Sequence, residues 1–585
     1  MKARPLALIM AAACLAAAGR TQGAVPVVHL EKSPALGGTW QDVPASKLTV
    51  TPEGGLMDAT DTEAAFYRLR VERTDPSGIP TGFALAEVPK EAVSIAQDHL
   101  SNCQEDDWEF AQLGPVVYPV YNPAINGGTS PAYLEFKVIR QAVPAGPAAP
   151  FNNPPLDQKG DLGFILVSLT RQDMPIPEFS TDGPTRVEKL RSLAKTSQVK
   201  AVRYSQTILV AENAKGEAVA NLGVAPFQLP EAILDFTLMN QTESVVEAGK
   251  PVIEPARADF SGTPYSSFDK FKEDYLKGPL YPKLREYQAL AARTAWLLRD
   301  GIPPGLIQVG LQYVTNILES KSIARFDVED PTIVSLQMVP GKPGLNATGL
   351  KTGGTLLHVC YAGGDGDSFV IQAGKPGMQA KGWGSWSTYY AGTWGNQKYY
   401  HQELGLAGCC SGGWSGCGPT AWAMFYGYWD GLGVTSLIGG SGATPMYNNS
   451  YVDSCIQYEF GRIGTYCVGS EAATNPWQMH QGYQWAGHQG AGISISTDWG
   501  VPYLGSGPRN KAIQSIRNYG RPAIVGTGYY AHYPLAYGYK TRSYTSWGIT
   551  WDTQRYWQVN NGQGSSSPIW VDADSCWFGS NGYCY

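Results

Sequence analysis

The sequence predicts an α+β protein of several domains, with strand-rich and helical stretches following one another along the chain. Three observations carry this reading. At 585 residues the chain is too long for one ordinary hydrophobic core. Its 68 Gly, 41 Pro, 33 Tyr and 17 Trp favour turn-rich, strand-rich architecture over helical bundles. Its apolar residues recur at helical spacing in some windows and as short β-like runs in others.

Residues 1–24 have a basic start, an apolar run from about Leu6 to Ala18 and then small residues, the pattern of an export signal. Residues 25–75 read as a small β module, with GGTW at Gly37 to Trp40 and FYRLRV at Phe66 to Val71. TDPSGIPTG is a turn cluster and a boundary. From 81 to 230 the order is helix then strands. Val88, Ala92, Ile95, Ala96 and Leu100 are spaced as a helix, followed by YLEFKV, a Pro-rich stretch near 144–155 and the strand GFILVS at Gly163 to Ser168. Residues 231–379 hold an amphipathic helical region between Phe268 and Leu298, interrupted around Gly278 to Pro282, and then strands and tight turns from Val334 to Ala373. Residues 380–585 form the last domain, entered through KGWGSWSTYYAGTWGN.

A net charge of −6 without a Lys/Arg run leaves no electrostatic footprint for nucleic acid or an anionic membrane. No stretch reaches the length of a membrane-spanning helix. With Cys14 removed in the signal, nine cysteines remain, and an odd count in an exported protein predicts one free reactive thiol and up to four disulfides. Vicinal Cys409 and Cys410 are expected to have separate disulfide partners. His480 and His488 lack carboxylate neighbours, and neither HExxH nor paired CxxC occurs, so no metal and no cofactor is expected.

SGCGPTAWAMFYGYWD, from Ser415 to Asp430, is the strongest local signal. Pro419 suits the first turn of a helix, and Ala421, Met424, Phe425 and Tyr428 form its buried stripe. Cys417 therefore opens a helix, where unpaired N–H groups and the helix dipole stabilise a thiolate and can hold an oxyanion. An imidazole is the natural proton carrier for such a thiol. His532, in AHYPLAYGYK, heads a strand-like run. Asn560 or Asn561, in YWQVNNGQG, is placed to orient it, although NNG also makes a good turn.

SGCGPTAWAM, AHYPLAYGY and YWQVNNGQG occur in the order of papain-like cysteine peptidases, and this part resembles streptopain-like and bacteriocin-leader-processing (peptidase C39-like) relatives. The resemblance covers roughly the last 200 residues, the size of one domain. YLEFKV, GFILVS and EFSTDG upstream resemble the inhibitory prodomain of streptopain. The resemblance implies a papain-like catalytic domain over 380–585, preceded by a β-rich module and an α+β prodomain that blocks the cleft until cleaved. Two positions depart from the family pattern: Ser411 stands where an oxyanion-hole Gln is usual, and Gln563 where a shielding Trp is usual. Gln402 can take the first role if AGCCSGGWSG is an inserted loop, and Trp557 is the candidate for the second.

The resulting expectation is a secreted, extracellular or periplasmic cysteine endopeptidase made as a zymogen. Its partners are a protein or peptide substrate and its own prodomain, with no sorting module at the C-terminus. Two alternatives keep the same residues: a transglutaminase-like acyl transferase, and a non-catalytic surface-binding protein with a degenerate site.

Overall fold

The computed structural model describes residues 25–33, 41–42, 48–50, 56–58 and 66–74 as strands, and residues 79–585 except 104, 106–107, 109, 141–160, 207, 223–243, 247–264, 266–267, 301–304, 375–381, 393–396, 435, 440–444, 469–470, 547–548 and 564–568. The proposed export signal and GGTW lie outside the described residues. The protein is mixed α and β, with 28% helix and 38% strand, as its composition led one to expect. Among the described residues no helix is long and apolar enough to cross a membrane.

Strand β1 (Val25–Ser33) pairs antiparallel with β2 (Phe66–Thr74), which continues into β3 (Pro80–Ala84). Helix α1 (Lys90–Asn102) covers the next antiparallel strands, β4 (Ala111–Val120), β5 (Tyr133–Arg140) and β6 (Asp161–Ser168). The apolar stripe read from the sequence is the buried face of α1: Ala92, Ile95, Ala96 and Leu100 pack with Leu134, Phe136 and Val138.

The short strand β7 (Glu178–Ser180) follows β6, and helix α2 (Arg186–Ala194) starts six residues later. Buried Glu135 holds that start, its carboxylate accepting from the Arg186 and Val187 N–H groups at 2.7 and 2.9 Å. Burial lifts this carboxyl to about 7 against those bonds.

Helices α3 (Phe268–Lys277) and α4 (Leu280–Arg299) account for the amphipathic region. The break falls at Gly278 and Pro279. Pro282 is inside the first turn of α4, where a missing N–H costs nothing.

Residues 305–374 fold as two small sheets facing one core. Strands Gly305–Val309, Gly366–Ala373, Gly353–Tyr361 and Ile323–Val328 make one sheet, and Val314–Ile317, Leu345–Gly349 and Val334–Met338 the other. Val334, Leu345, Leu357, Val359 and Ile371 lie between them.

The last domain is built around helix α5 (Cys417–Gly431). Every residue from Cys417 to Tyr428 is buried, as suits a helix apolar on all sides. Helix α6 (Ser450–Arg462), started by the Asn449 side chain, packs along it.

Around these helices run β8 (Ile493–Trp499), β9 (Ala523–Gly526), the long pair β10 (Leu535–Ser546) and β11 (Ile549–Asn560), β12 (Ile569–Asp572) and β13 (Phe578–Cys584). β7 pairs with β12, so the first half and the last domain share one continuous sheet. They share a core as well: Phe179 stacks on Trp570 at 5.9 Å, and Tyr556 and Trp386 pack with α1. The upstream unit also has a cluster of its own, with Val120, Tyr133, Leu166, Val187, Leu190 and Leu209 packed together.

The cysteine expectation needs correction. Among the described residues there is one disulfide, Cys410–Cys467, and seven cysteines are thiols. Cys410 is paired as foreseen, but Cys409 is not. Cys103, Cys455, Cys576 and Cys584 are accommodated by burial in the core rather than by pairing, and Cys360 is a half-buried thiol on a strand.

Candidate active site

The chain before Cys417 is shaped by glycine. Gly416 caps α5 with φ of 94°, and a Cβ there would meet the Ala472 Cβ at 3.0 Å. At Gly418 a Cβ would meet the Thr474 hydroxyl at 2.6 Å. Glycine at both positions lets the hairpin of strands Tyr466–Val468 and Glu471–Ala473 lie directly against the start of the helix. Pro419 completes a first turn in which no intrahelical partner exists for the leading N–H groups.

His532 lies in the loop between β9 and β10. Its carbonyl accepts from the Thr527 N–H at 3.0 Å, closing the loop. Two tyrosines anchor it. The Tyr529 hydroxyl donates to Gln288 of α4, and the Tyr530 hydroxyl donates to the Gly500 carbonyl at 2.9 Å. Tyr530 is held at φ of 57°, a left-handed conformation costly for a bulky residue.

The imidazole is buried. Its Nε2 donates to the Asn561 main-chain carbonyl at 2.8 Å, and Nδ1 has no hydrogen-bond partner. Because a carbonyl only accepts, Nε2 carries the proton in the neutral ring and Nδ1 keeps its lone pair. Burial pushes the group down to about 4, with the Arg186 guanidinium adding to the fall and the Asn561 carbonyl opposing it.

The expected orienting amide is thus a main-chain carbonyl. Asn560 fixes the segment that supplies it: its Oδ1 accepts from the Gly562 N–H at 2.9 Å and its Nδ2 donates to the Lys398 carbonyl at 2.9 Å. The Asn561 Oδ1 is buried with no hydrogen-bond partner.

The structure brings the cysteine and histidine segments together. Gly562 sits against Thr420 in the first turn of α5. Tyr533, next to His532, donates to the Thr474 carbonyl at 3.2 Å, and Thr474 contacts Gly418. Tyr533 also lies close enough to Cys417 for the thiol to raise the phenol further above its burial shift.

Gln402 joins this group. It is 5% exposed, its N–H donates to the Gly562 carbonyl at 2.9 Å, and its Oε1 is buried with no hydrogen-bond partner. The segment between Gln402 and Cys417 closes on itself through the backbone. Ser415 donates to the Glu403 carbonyl at 2.9 Å and Leu404 bridges Trp414, so the intervening residues form a loop pinched off at its base. Ser411 is on that loop. The Cys410–Cys467 disulfide ties it to the hairpin beside Gly416.

Gln563 is exposed, and Trp557 is buried in the cluster with Tyr539 and Val571. The ring that buttresses the histidine loop is one the sequence reading missed. Trp577 donates to the Thr527 carbonyl at 3.0 Å and packs on Tyr530 and Tyr533 at 5.1 and 4.8 Å. No short motif marks it; only its place just before β13 reveals it. Comparison with protein-family models and with curated proteins gave no match.

Proposed function

We propose that this chain is an exported cysteine endopeptidase made as a zymogen, resembling papain-like enzymes in its last domain. One observation carries the reading. The His532 ring donates through Nε2 and keeps its Nδ1 lone pair, on a loop packed at the start of the helix that begins with Cys417.

In this reading the Cys417 thiol gives its proton to His532 Nδ1, and Sγ bonds to the substrate carbonyl carbon. The Cys417 N–H and the Gln402 amide receive the oxyanion. His532 returns the proton to the leaving amine as the C–N bond breaks, leaving a thioester. Water, deprotonated by His532, then splits the thioester to carboxylic acid and thiol. Asn561 orients the ring through its carbonyl, and Asn560 positions Asn561.

Occlusion supports the zymogen part. Cys417 is 6% and His532 1% exposed. Arg186, from the prodomain-like segment, is close enough to act on His532 electrostatically.

The test is mass spectrometry of the wild-type chain and Cys417→Ala after incubation with reductant and a denatured protein. Wild type is expected to cut itself and the substrate, and the variant neither. If neither chain cuts, and iodoacetamide labels Cys417 no faster than an ordinary thiol, the peptidase reading fails and the surface-binding alternative replaces it.

A further inference from the structure

Strand β10 sends one lysine out of the last domain and into the upstream unit. Lys540 is fully buried there, a place a lysine rarely takes unless it is paired. Its ammonium pairs with Glu105 and donates to the Cys103 carbonyl at 2.5 Å. The faces of Trp386 and Trp570 lie 5.6 and 5.3 Å from it.

The remaining contact is to a thiol. Lys540 Nζ sits 3.5 Å from Cys103 Sγ. Cys103 ends helix α1, is fully buried and belongs to no disulfide. Trp108, Phe179 and Tyr556 close the core around it. The amine and the thiol thus come from two units of the chain and are held in place from all sides.

This arrangement favours one chemistry. A separation of 3.5 Å is that of reacting atoms poised to combine. Glu105 can take the proton that masks the Lys540 lone pair. Burial pushes the Cys103 thiol up to about 12 against the pull of the Lys540 charge. That suppresses the thiolate, the form on which polar oxidants act. Dioxygen is small and apolar, and apolar interiors admit such molecules.

We infer that Cys103 and Lys540 are a modification site, at which dissolved dioxygen closes an S–O–N cross-link between the upstream unit and the last domain. Glu105 first takes a proton from the Lys540 ammonium and passes it to water. The S–H bond, one N–H bond and the O–O bond then break, and S–O and O–N bonds form. One oxygen atom stays in the bridge, and the other leaves with the two hydrogens as water. Sulfur and nitrogen each lose two electrons, and dioxygen gains the four. Two equivalents of a dithiol return them, restoring thiol and amine and releasing the bridging oxygen as water. The cross-link stands apart from the proposed function. Its consequence, that an oxidised zymogen keeps its upstream unit after being cut, rests on that reading.

The probe is dioxygen itself. The wild-type full chain is prepared anaerobically without reductant, and part of it is then held in air-saturated buffer. Both samples are denatured and read by intact mass and peptide mapping. The aerated chain is expected to be about 14 Da heavier, one oxygen gained and two hydrogens lost, and to yield a linked peptide pair carrying residues 103 and 540. Denatured Cys103 is expected to take iodoacetamide at least tenfold less in the aerated chain, and fully once dithiothreitol is added. Lys540→Met is expected to leave Cys103 equally labelled with and without air. Glu105→Gln, which keeps both reacting atoms, is expected to slow cross-linking at least threefold.

A freely labelled Cys103 in the aerated wild type overturns the cross-link, and that result requires no variant to fold. Cys103 found as sulfinic acid beside an unmodified Lys540, or in a disulfide, overturns it too. A linked pair about 2 Da lighter than its parts, the mark of a direct S–N bond, does the same. Cross-linking of Glu105→Gln at the wild-type rate removes the proton-acceptor role. If the cross-link forms while Cys417 alkylates as an ordinary thiol, the modification holds and only its bearing on a zymogen falls.

Discussion

Replacing Asn560 by Ala separates a side-chain role from a main-chain one. The substitution removes two hydrogen bonds of 2.9 Å. It leaves the buried Gly562 N–H without its acceptor, and the Lys398 carbonyl with a long 3.5 Å bond from the Tyr537 hydroxyl. The unsatisfied Gly562 N–H costs about 1–3 kcal/mol and the lost bond to Lys398 about 1 kcal/mol more, so the pair amounts to about 2–4 kcal/mol. Losing this tether also frees the Asn561 carbonyl from its place under His532. A misplacement of about 1 Å at a catalytic group costs on the order of 100-fold in rate.

Asn561→Ala keeps the main-chain carbonyl and removes an amide whose Oδ1 is unbonded, so it is expected to cost under about 1 kcal/mol. The assay pairs urea unfolding followed by tryptophan fluorescence with the rate of Cys417 alkylation and of peptide hydrolysis. Greater loss of rate in Asn561→Ala than in Asn560→Ala would refute the main-chain assignment.

Three further outcomes follow from the geometry. The His532 imidazole has its folded value depressed to about 4, so the unfolded chain binds more protons between about pH 6.5 and 4. Stability is expected to fall by up to about 3 kcal/mol as pH drops through that window, and His532→Gln to flatten the slope in acid titrations. Burial, with Glu329 and Asp574 nearby, raises Asp552 to about 7, so the native state holds the extra proton between about pH 4 and 7. Stability from this group falls as pH rises through that range, and Asp552→Asn is expected to raise the urea midpoint at pH 8 more than at pH 4. Cys410→Ser opens a disulfide spanning 57 residues, worth about 4 kcal/mol by chain entropy; thermal unfolding of this variant unchanged from wild type would show that the hairpin holds the loop unaided.

Local rules made much of this legible. The helix after Cys417 was readable because Pro419 and an all-apolar run leave few other structures for SGCGPTAWAMFYGYW. The stripe in α1 and the strands YLEFKV and GFILVS followed from periodicity. What stayed hidden depends on distant pairing. Nothing in NNG tells that Asn560 binds Lys398, 162 residues away, or that His532 takes a carbonyl rather than an amide. Cys410 and Cys467 could not be matched from spacing, because the hairpin that brings them together is set by close approach at Gly416 and Gly418. Trp577 was missed for the same reason: it is one tryptophan among 17 until β13 places it beside the histidine loop.

In the proposed zymogen, the pairing of β7 with β12 would make cutting and release two different events. In a chain nicked after Leu222, the peptide bond is gone but the sheet is not. Glu178–Ser180 still hydrogen-bonds Ile569–Asp572, Phe179 still stacks on Trp570, and Lys540 still holds Glu105 and the Cys103 carbonyl. Such a molecule runs as two fragments on a denaturing gel and as one particle on a sizing column. Its two pieces part only when something else takes up the bare edge of the sheet and the apolar face beneath it.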